Sequence, residues 1–259
     1  MRRLTTSPTW SRWHTTQHIS KTMFFRRHHT FREHHAIFRQ LLPAGPHVRM
    51  IELGCFPGRL MEFFHRMYGH DVTGLEYIEE SCHKCEAMLA AKCVPATVIH
   101  GDLFEDEWAA DHPLWDVVFS AGLIEHFDDS SPAIERHLRL VAPKGHCVIT
   151  IPNHSGLNGR LMKIIDRRMW DLHNLMDADR LRDAFERSPS SDRFELLVCR
   201  YVEHVGLWNC GLYGRLQSIG RPAFLLGRSM GFVVEAAARW TPNTRLLSPN
   251  IVMVARERG

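Results

Sequence analysis

Residues 48–58 read Val-Arg-Met-Ile-Glu-Leu-Gly-Cys-Phe-Pro-Gly, and they are the most informative segment for the fold. Its first six residues form a short apolar run that is typical of a buried strand, and its glycines allow a tight turn before the helical pattern at 60–68. A strand, a glycine turn and a helix N-terminus form a cradle for a nucleotide-like ligand. The turn's amide groups point at the ligand, and glycine lets the backbone approach it.

Strand and helix patterns alternate along the chain outside this turn. The predicted strands cover residues 48–53, 71–75, 96–100, 115–120, 146–151, 194–202 and 250–255. The predicted helices cover residues 31–42, 60–68, 81–91, 132–141, 158–170, 178–187 and 221–238. We therefore predict an α/β fold. It is a Rossmann-like, seven-stranded, mostly parallel sheet with helices on both faces and an antiparallel last strand.

A break at residues 44–46 divides the chain into a basic helical N-terminal arm or lid, residues 1–45, and a main domain, residues 46–259. Residues 1–40 carry a net charge of +7, whereas the remainder carries −4. Such an arm could bind nucleic acid, an anionic membrane surface or an anionic substrate, or act as a transit peptide. The simplest interpretation is a helical extension that packs its aromatic residues on the body.

The composition excludes several classes of protein. With 44% apolar and 24% charged residues, the 259-residue chain is not disordered, collagen-like or a coiled coil. No stretch of 18 residues lacks charge and no apolar signal region is visible, so neither a transmembrane helix nor a signal peptide is predicted. Seven cysteines, an odd number, read as reduced thiols. We therefore expect a cytoplasmic protein, either a monomer or a homodimer.

Two acidic residues follow the next two strands. Glu76 lies about 20 residues after the glycine turn, where a carboxylate suits a pair of ribose hydroxyls. Asp102 ends the third strand, where it could accept a hydrogen bond from an adenine amino group. Parallel strands bring their carboxyl ends to one edge of the sheet, so we expect both acids beside the turn.

In order and spacing, these motifs resemble those of the class I S-adenosylmethionine-dependent methyltransferases, over about residues 48–153. Residues 119–127 are similar to the family's segment after strand four, and residues 140–145 to its turn before strand five. The resemblance implies S-adenosylmethionine as cofactor, a cofactor half at 46–153 and a substrate half at 154–259. The cofactor-binding residues that it implies are Glu52, Gly54, Cys55, Phe56, Gly58, Glu76, Tyr77, Asp102, Leu103 and Ser120.

The turn departs from the family pattern at Phe56, where glycine is usual. If the backbone needs a positive φ there, phenylalanine is strained. The consequence would be weaker cofactor binding or a non-catalytic domain. The alternative is a tolerated side chain that packs over the cofactor or the first helix.

Methyl transfer chiefly requires that the acceptor atom be held in line with the methyl group. An oxygen or nitrogen acceptor also benefits from a base, so His126 and His154, which follow strands four and five, are the predicted catalytic residues. The predicted substrate-binding residues are Trp13, Asn153 and His173. No metal is predicted. The pair Glu125-His126 resembles that of the metal-binding ubiquinone-type O-methyltransferases, but the upstream acid is missing.

The sequence thus predicts methyl transfer to an oxygen or nitrogen of a small, secondary-metabolite-like acceptor, because residues 151–159 and 172–175 resemble a subgroup of bacterial small-molecule methyltransferases. A lipid, quinone or glycan acceptor is the alternative, and it predicts a pocket between the arm and residues 205–240. A non-catalytic, cofactor-binding regulatory protein is a further alternative. No nucleic-acid partner is expected, because the Asn/Asp-Pro-Pro-aromatic motif of amino-methylating DNA enzymes is absent.

Overall fold

The computed structural model describes residues 1–16, 31–110, 112–206 and 210–259, and these contain the predicted seven-stranded sheet. The strands are β1 Arg49–Leu53, β2 Asp71–Glu76, β3 Ala96–His100, β4 Trp115–Ala121, β5 Val141–Pro152, β6 Phe194–Val202 and β7 Asn250–Glu257. Their order across the sheet is β3-β2-β1-β4-β5-β7-β6. The strand order reverses between the neighbouring parallel strands β1 and β4, so the carboxyl ends of these strands frame one crevice.

The last strand is antiparallel, as predicted. Strands β1 to β5 pair in parallel, whereas β7 runs antiparallel to both β5 and β6, with Val148 opposite Val254. Strands β1 and β4 are buried on both faces, which explains why their sequences are continuous apolar runs. The predicted fold class is confirmed.

Helices cover both faces of this sheet. They are α1 Ser7–Thr16, α2 Arg32–Leu41, α3 Arg59–Tyr68, α4 Glu79–Ala91, α5 Glu107–Ala110, α6 Ser131–Arg139, α7 Leu157–Ile165, α8 Arg167–Trp170, α9 Ala178–Glu186, α10 Leu212–Ile219 and α11 Arg221–Ala238. One apolar cluster joins the sheet to α6 and α9 through Leu138 and Leu181. The other joins the sheet to α2, α3 and α4 through Phe38, Phe64 and Leu89. In the described part of the chain, helices thus cover both faces of the sheet.

Two boundaries differ from the sequence prediction. The helix predicted at 158–170 breaks at Asp166, whose carboxylate accepts a hydrogen bond from the Met169 amide and so begins the separate helix α8. Strand β5 begins at Val141, earlier than predicted. The turn around Lys144, whose φ is +64°, lies within β5 as the structure assigns it.

The predicted arm divides into two parts with different surroundings. Helix α2 belongs to the core, because Phe38 is fully buried and Ile37 is 5% exposed. Helix α1 lies over the ends of the strands, and residues 17–30 between the two helices lie outside the described residues. Helix α2 of the predicted arm thus packs within the core, whereas helix α1 lies at the ends of the strands.

Truncation of Phe38 tests whether α2 is part of the core. We expect Phe38→Ala to lower the free energy of unfolding by about 3–5 kcal/mol, because it leaves a cavity in a closely packed cluster. The exposed neighbour Gln40→Ala is the control and should change stability by about 0.5 kcal/mol or less. Chemical denaturation measures both, and equal stabilities for the two variants would mean that α2 is a detachable arm.

His137 joins α6 to β4 and makes the protein sensitive to acid. Its Nδ1 donates to the Ala133 carbonyl and its Nε2 lies 2.8 Å from the Ser120 hydroxyl. Burial lowers the pKa of His137 from 6.5 to about 4. Between these values the unfolded chain binds a proton that the folded protein does not, so stability is present above pH 6.5 and is lost as the pH falls to 4.

We therefore expect His137→Gln to reduce the acid sensitivity of folding. In wild type this histidine contributes a loss of about 3 kcal/mol between pH 6.5 and pH 4, and the glutamine variant lacks that contribution. The exposed His83→Gln is the matched control and should follow the wild-type pH dependence. Urea denaturation at several pH values provides the measurement, and identical slopes for wild type and His137→Gln would contradict the assignment.

Candidate functional site

A cavity of about 540 Å³ opens at the carboxyl ends of the strands. Its wall is formed by the turn after β1, the ends of β2, β4 and β5, and residues of α1 and α8. The predicted site residues that line it are Trp13, Glu52, Gly54, Cys55, Phe56, Glu76, Tyr77, Leu103, His126 and His173. The predicted site residues that do not line it are Gly58, Asp102, Ser120, Asn153 and His154.

The glycine turn is tied to the neighbouring strand. The amides of Gly54 and Cys55 both donate to the Leu75 carbonyl, at 2.8 and 3.1 Å. Gly54 and Gly58 have φ values of +74° and +84°, which favour glycine. Gly58 also has a packing role. A Cβ at Gly58 would lie 2.8 Å from the Cys85 sulfur, so this glycine allows α4 to approach the turn.

Phe56 is accommodated without backbone strain. The described non-glycine residues with positive φ are Cys93, Lys144, Glu203 and His204, so the strain considered for Phe56 does not arise. Its ring stacks on His14 of α1, with centroids 4.1 Å apart and planes at 25°. The side chain therefore forms part of the wall between the turn and α1.

Glu76 is the buried acid at the end of β2. Its carboxylate accepts hydrogen bonds from the amides of Ile78, at 3.0 Å, and Phe56, at 3.3 Å. Glu52 beneath it accepts from the Met61 amide at 3.1 Å. Burial raises the pKa of Glu76 and raises that of Glu52 well above its usual range. The two acids therefore fix the turn and the start of α3 while they line the cavity.

Asp102 is paired with the N-terminal segment. One guanidinium nitrogen of Arg3, Nη2, donates to both oxygens of the Asp102 carboxylate, which also accepts from the Phe104 amide at 2.9 Å. The Arg3 guanidinium also lies over the Tyr77 ring, 4.9 Å from its centroid. The adjacent Leu103 lines the cavity, whereas Asp102 does not. A contact between Asp102 and adenine would require Arg3 to share or release this carboxylate.

Two histidines form the opposite wall together with α1. His126 Nδ1 lies 3.1 Å from the Leu172 carbonyl, and His173 Nδ1 lies 2.5 Å from the Met169 carbonyl. Because a carbonyl only accepts, each Nδ1 carries the proton and each neutral ring keeps a lone pair on Nε2. The His126 ring meets Trp10 edge-on at 4.7 Å, and the two histidine rings are 4.6 Å apart.

Burial keeps this wall uncharged. It lowers the pKa of His126 to about 3 and raises the pKa of Glu125 to about 8. One carboxylate oxygen of Glu125 is buried without a hydrogen-bond partner. Glu125, His126 and His173 each offer one atom that could ligate a cation, and these atoms lie within 4.8 Å of one another. The absence of a metal here stays a prediction from the sequence.

Three predicted residues lie behind the wall. His154 packs against His173, with ring centroids 4.5 Å apart, and does not itself line the cavity. The Asn153 amide donates to the carbonyls of Arg245 and Ser248, both at 2.8 Å, and holds the loop before β7. Ser120 is fully buried and faces His137.

Sequence reasoning missed part of the wall. His14 lies 2.6 Å from the Ser81 hydroxyl, and burial lowers its pKa to about 4. His34 connects Glu203, at 2.8 Å, to Thr150, at 2.9 Å, and also lines the cavity. Both histidines lie in the basic arm, where no strand pattern indicates their position. Among the described residues of 154–240, only Met169 and His173 line the cavity, so the pocket expected beside 205–240 is not formed by that part of the structure.

Removal of the Glu76 carboxylate should weaken cofactor binding. We expect Glu76→Ala to raise the dissociation constant for S-adenosylhomocysteine about 30-fold, because charged hydrogen bonds contribute about 2 kcal/mol. The exposed Glu79→Gln, three residues along the chain, is the control and should bind like wild type. Calorimetric titration measures both, and unchanged binding by Glu76→Ala would place the cofactor elsewhere.

Comparisons with known proteins agree with this geometry. A family model described as a methyltransferase domain matches residues 26–189. The geranyl diphosphate C-methyltransferase from Streptomyces coelicolor A3(2) is similar in fold, with 13% identity and a TM-score of 0.55 over 93% of this chain and 88% of that chain. So is an S-adenosylmethionine dependent methyltransferase from Mesorhizobium loti, with 16% identity and a TM-score of 0.54 over 86% and 96%.

A third similar structure is the [4+2]-cyclase SpnF, with 14% identity and a TM-score of 0.57 over 87% of this chain and 80% of that chain. At such identities a structural likeness shows the fold alone. No curated protein matches the chain significantly. The family model nevertheless spans more than half of the chain. The protein therefore belongs to the methyltransferase domain family, and the prediction of an S-adenosylmethionine-dependent methyltransferase is confirmed.

Proposed function

We propose that this enzyme transfers a methyl group to an oxygen or nitrogen atom of a small, secondary-metabolite-like acceptor. One observation carries the proposal: a single cavity joins the glycine turn and Glu76 to the wall that holds His126 and His173. Its volume of about 540 Å³ lies within the range of about 300–1,000 Å³ that is usual for small-molecule sites. One end of the cavity carries a carboxylate and the other carries two histidines, which suits a cofactor at the first end and an acceptor molecule at the second.

The end near β1 and β2 fits the cofactor. Two backbone amides orient the Glu76 carboxylate, and its remaining acceptor capacity suits two ribose hydroxyls. Gly54 lines this end of the cavity with a φ of +74°, which favours glycine, so no side chain enters the cradle at this position. Tyr77 and Leu103 supply apolar surface against which an adenine ring can lie.

The residues of this chain then have to position the acceptor molecule beside the methyl group of the cofactor. When bound, the sulfonium cofactor supplies a methyl group that needs no further activation. Trp10 and Trp13 of α1, whose rings meet at 5.8 Å, both line the cavity, and Trp10 packs against His126. Holding the acceptor atom in line with the methyl group is the principal source of rate enhancement.

His126 is the group best placed to accept the acceptor's proton. Its Nδ1–H is held by the Leu172 carbonyl, which leaves the Nε2 lone pair as a base. His173 has the same arrangement one ring away, and it is the second candidate. His154 contacts His173 and so serves as a positioning residue in this proposal.

The acceptor atom is tested by tracing the methyl group. We would supply S-adenosylmethionine with a ¹³C-labelled methyl group to panels of phenols, amines, carboxylic acids and prenyl diphosphates, and locate the label by NMR. Label on oxygen or nitrogen supports the proposal. Label on carbon would contradict it, and one solved structure of similar fold is a C-methyltransferase by name. Cofactor binding without transfer to any acceptor would favour the regulatory alternative.

Replacement of His126 separates proton transfer from binding. We expect His126→Asn to lower kcat by about 10²–10⁴-fold with little change in cofactor affinity. Asparagine can still donate to the Leu172 carbonyl but lacks a base. The control is His83→Asn on the exposed side of α4, which should retain full activity. A wild-type rate in His126→Asn would exclude this residue as the base.

Chelation tests the prediction that no metal takes part. We expect activity to persist in excess EDTA, because the sequence lacks the upstream acid of the metal-binding ubiquinone-type enzymes. The measurement is turnover before and after dialysis against EDTA, with elemental analysis of the protein. Loss of activity that Zn²⁺ or Mg²⁺ restores would show instead that Glu125, His126 and His173 hold a cation.

A further inference from the structure

Helix α11 and its surroundings expose an unusual amount of apolar surface. From the end of α10 to just beyond α11, eight large apolar side chains are 45% to 81% exposed. They are Ile219, Leu225, Leu226, Met230, Phe232, Val233, Val234 and Trp240. Single exposed apolar residues are common, but such a contiguous group marks an interaction surface. We call this group the apolar face of α11.

The inner side of α11 explains why these side chains face outward. A Cβ added at Gly227 would lie 2.2 Å from Leu216, and one added at Gly231 would lie 2.1 Å from the Tyr213 hydroxyl. Glycines thus let α11 pack closely on α10. The large side chains occupy the rest of the helix circumference, so no rotation of α11 could bury all of them against the body.

A row of arginines borders the apolar face. Arg221, Arg228 and Arg239 are all exposed. They are spaced seven and eleven residues apart, which is close to two and three whole turns, so they lie along one line of the helix. Glu235 is the one acidic residue between them in sequence and is partly buried. The surface therefore combines an apolar face with a cationic edge.

The geometry points to an anionic lipid bilayer as the partner of this surface. An apolar face buries itself at the boundary between headgroups and acyl chains, while arginines along its edge reach lipid phosphates. Trp240 at the end of the helix suits the interface, where its ring contacts both regions. Within the described residues no helix is long and apolar enough to cross a membrane, so the helix would lie on the bilayer.

Charge disfavours two other occupants. In a two-fold dimer the same surface meets itself, so the two rows of arginines would be drawn together with few acids to balance them. Residues 17–30 of this chain contain Lys21, Arg26 and Arg27 and no acid, so they too would repel the row. Lipid phosphates supply the opposite charge.

Vesicle flotation of the full chain tests this proposal. We expect the protein to float with phosphatidylcholine vesicles that contain one-third phosphatidylglycerol, much less with pure phosphatidylcholine, and less at high salt. Changing Arg221, Arg228 and Arg239 together to Gln should weaken binding at least tenfold. So should Leu226→Ser combined with Val233→Ser, which reduces the apolar face.

The control variant removes the same charge elsewhere. Gln at the exposed residues Arg139, Arg200 and Arg258 should leave vesicle binding as in wild type. If both triple-Gln variants bind vesicles equally weakly, the effect depends on net charge and not on the position of the arginines, and the proposal is overturned. A monomer–dimer equilibrium without vesicle binding would assign the apolar face of α11 to a second copy of the chain. Vesicle binding that appears only after deletion of residues 17–30 would mean that this segment occupies the face. Either result overturns the proposal. S-adenosylhomocysteine titration of the same preparations tests the cofactor site separately.

Discussion

The hydrogen bonds that join the turn after β1 to the end of β2 are the constraint on which the site depends. Two turn amides donate to the Leu75 carbonyl, and a third, that of Phe56, donates to the Glu76 carboxylate. A bulky residue in the turn is tolerated because these bonds define the backbone path without a positive φ at Phe56. The same carboxylate is thereby held at the cavity wall. One group of hydrogen bonds therefore fixes the turn after β1 and also positions the Glu76 carboxylate, at the end of β2, for a ligand.

The opposite wall follows a different principle, in which backbone carbonyls select the tautomer of each histidine. His126 and His173 both direct Nδ1–H at carbonyls close to each other in sequence, those of Leu172 and Met169. The loop that carries His173 thus positions both rings. Burial lowers the pKa of His126, so the ring is neutral, with the proton on Nδ1 and a lone pair on Nε2.

Local patterns predicted most of the fold, and they predicted that the glycine turn and Glu76 would lie together, because strand ends in a parallel sheet must converge. The acceptor end could not be predicted as well, since it is built from α1 and from the loop around His173, whose positions depend on tertiary packing. Asp102 and Asn153 illustrate the limit: their residue types suited ligands, but Arg3 and the loop before β7 are their partners. His14 and His34 gave no periodic signal at all.

A crystal structure of the complex with S-adenosylhomocysteine would show whether one cavity holds the cofactor at Glu76 and directs its reacting end toward His126. We expect ribose hydroxyls within hydrogen-bonding distance of the Glu76 carboxylate and a sulfur atom that faces the wall of His126 and His173. A ligand bound away from Glu76, or a sulfur atom that faces away from that wall, would contradict this expectation.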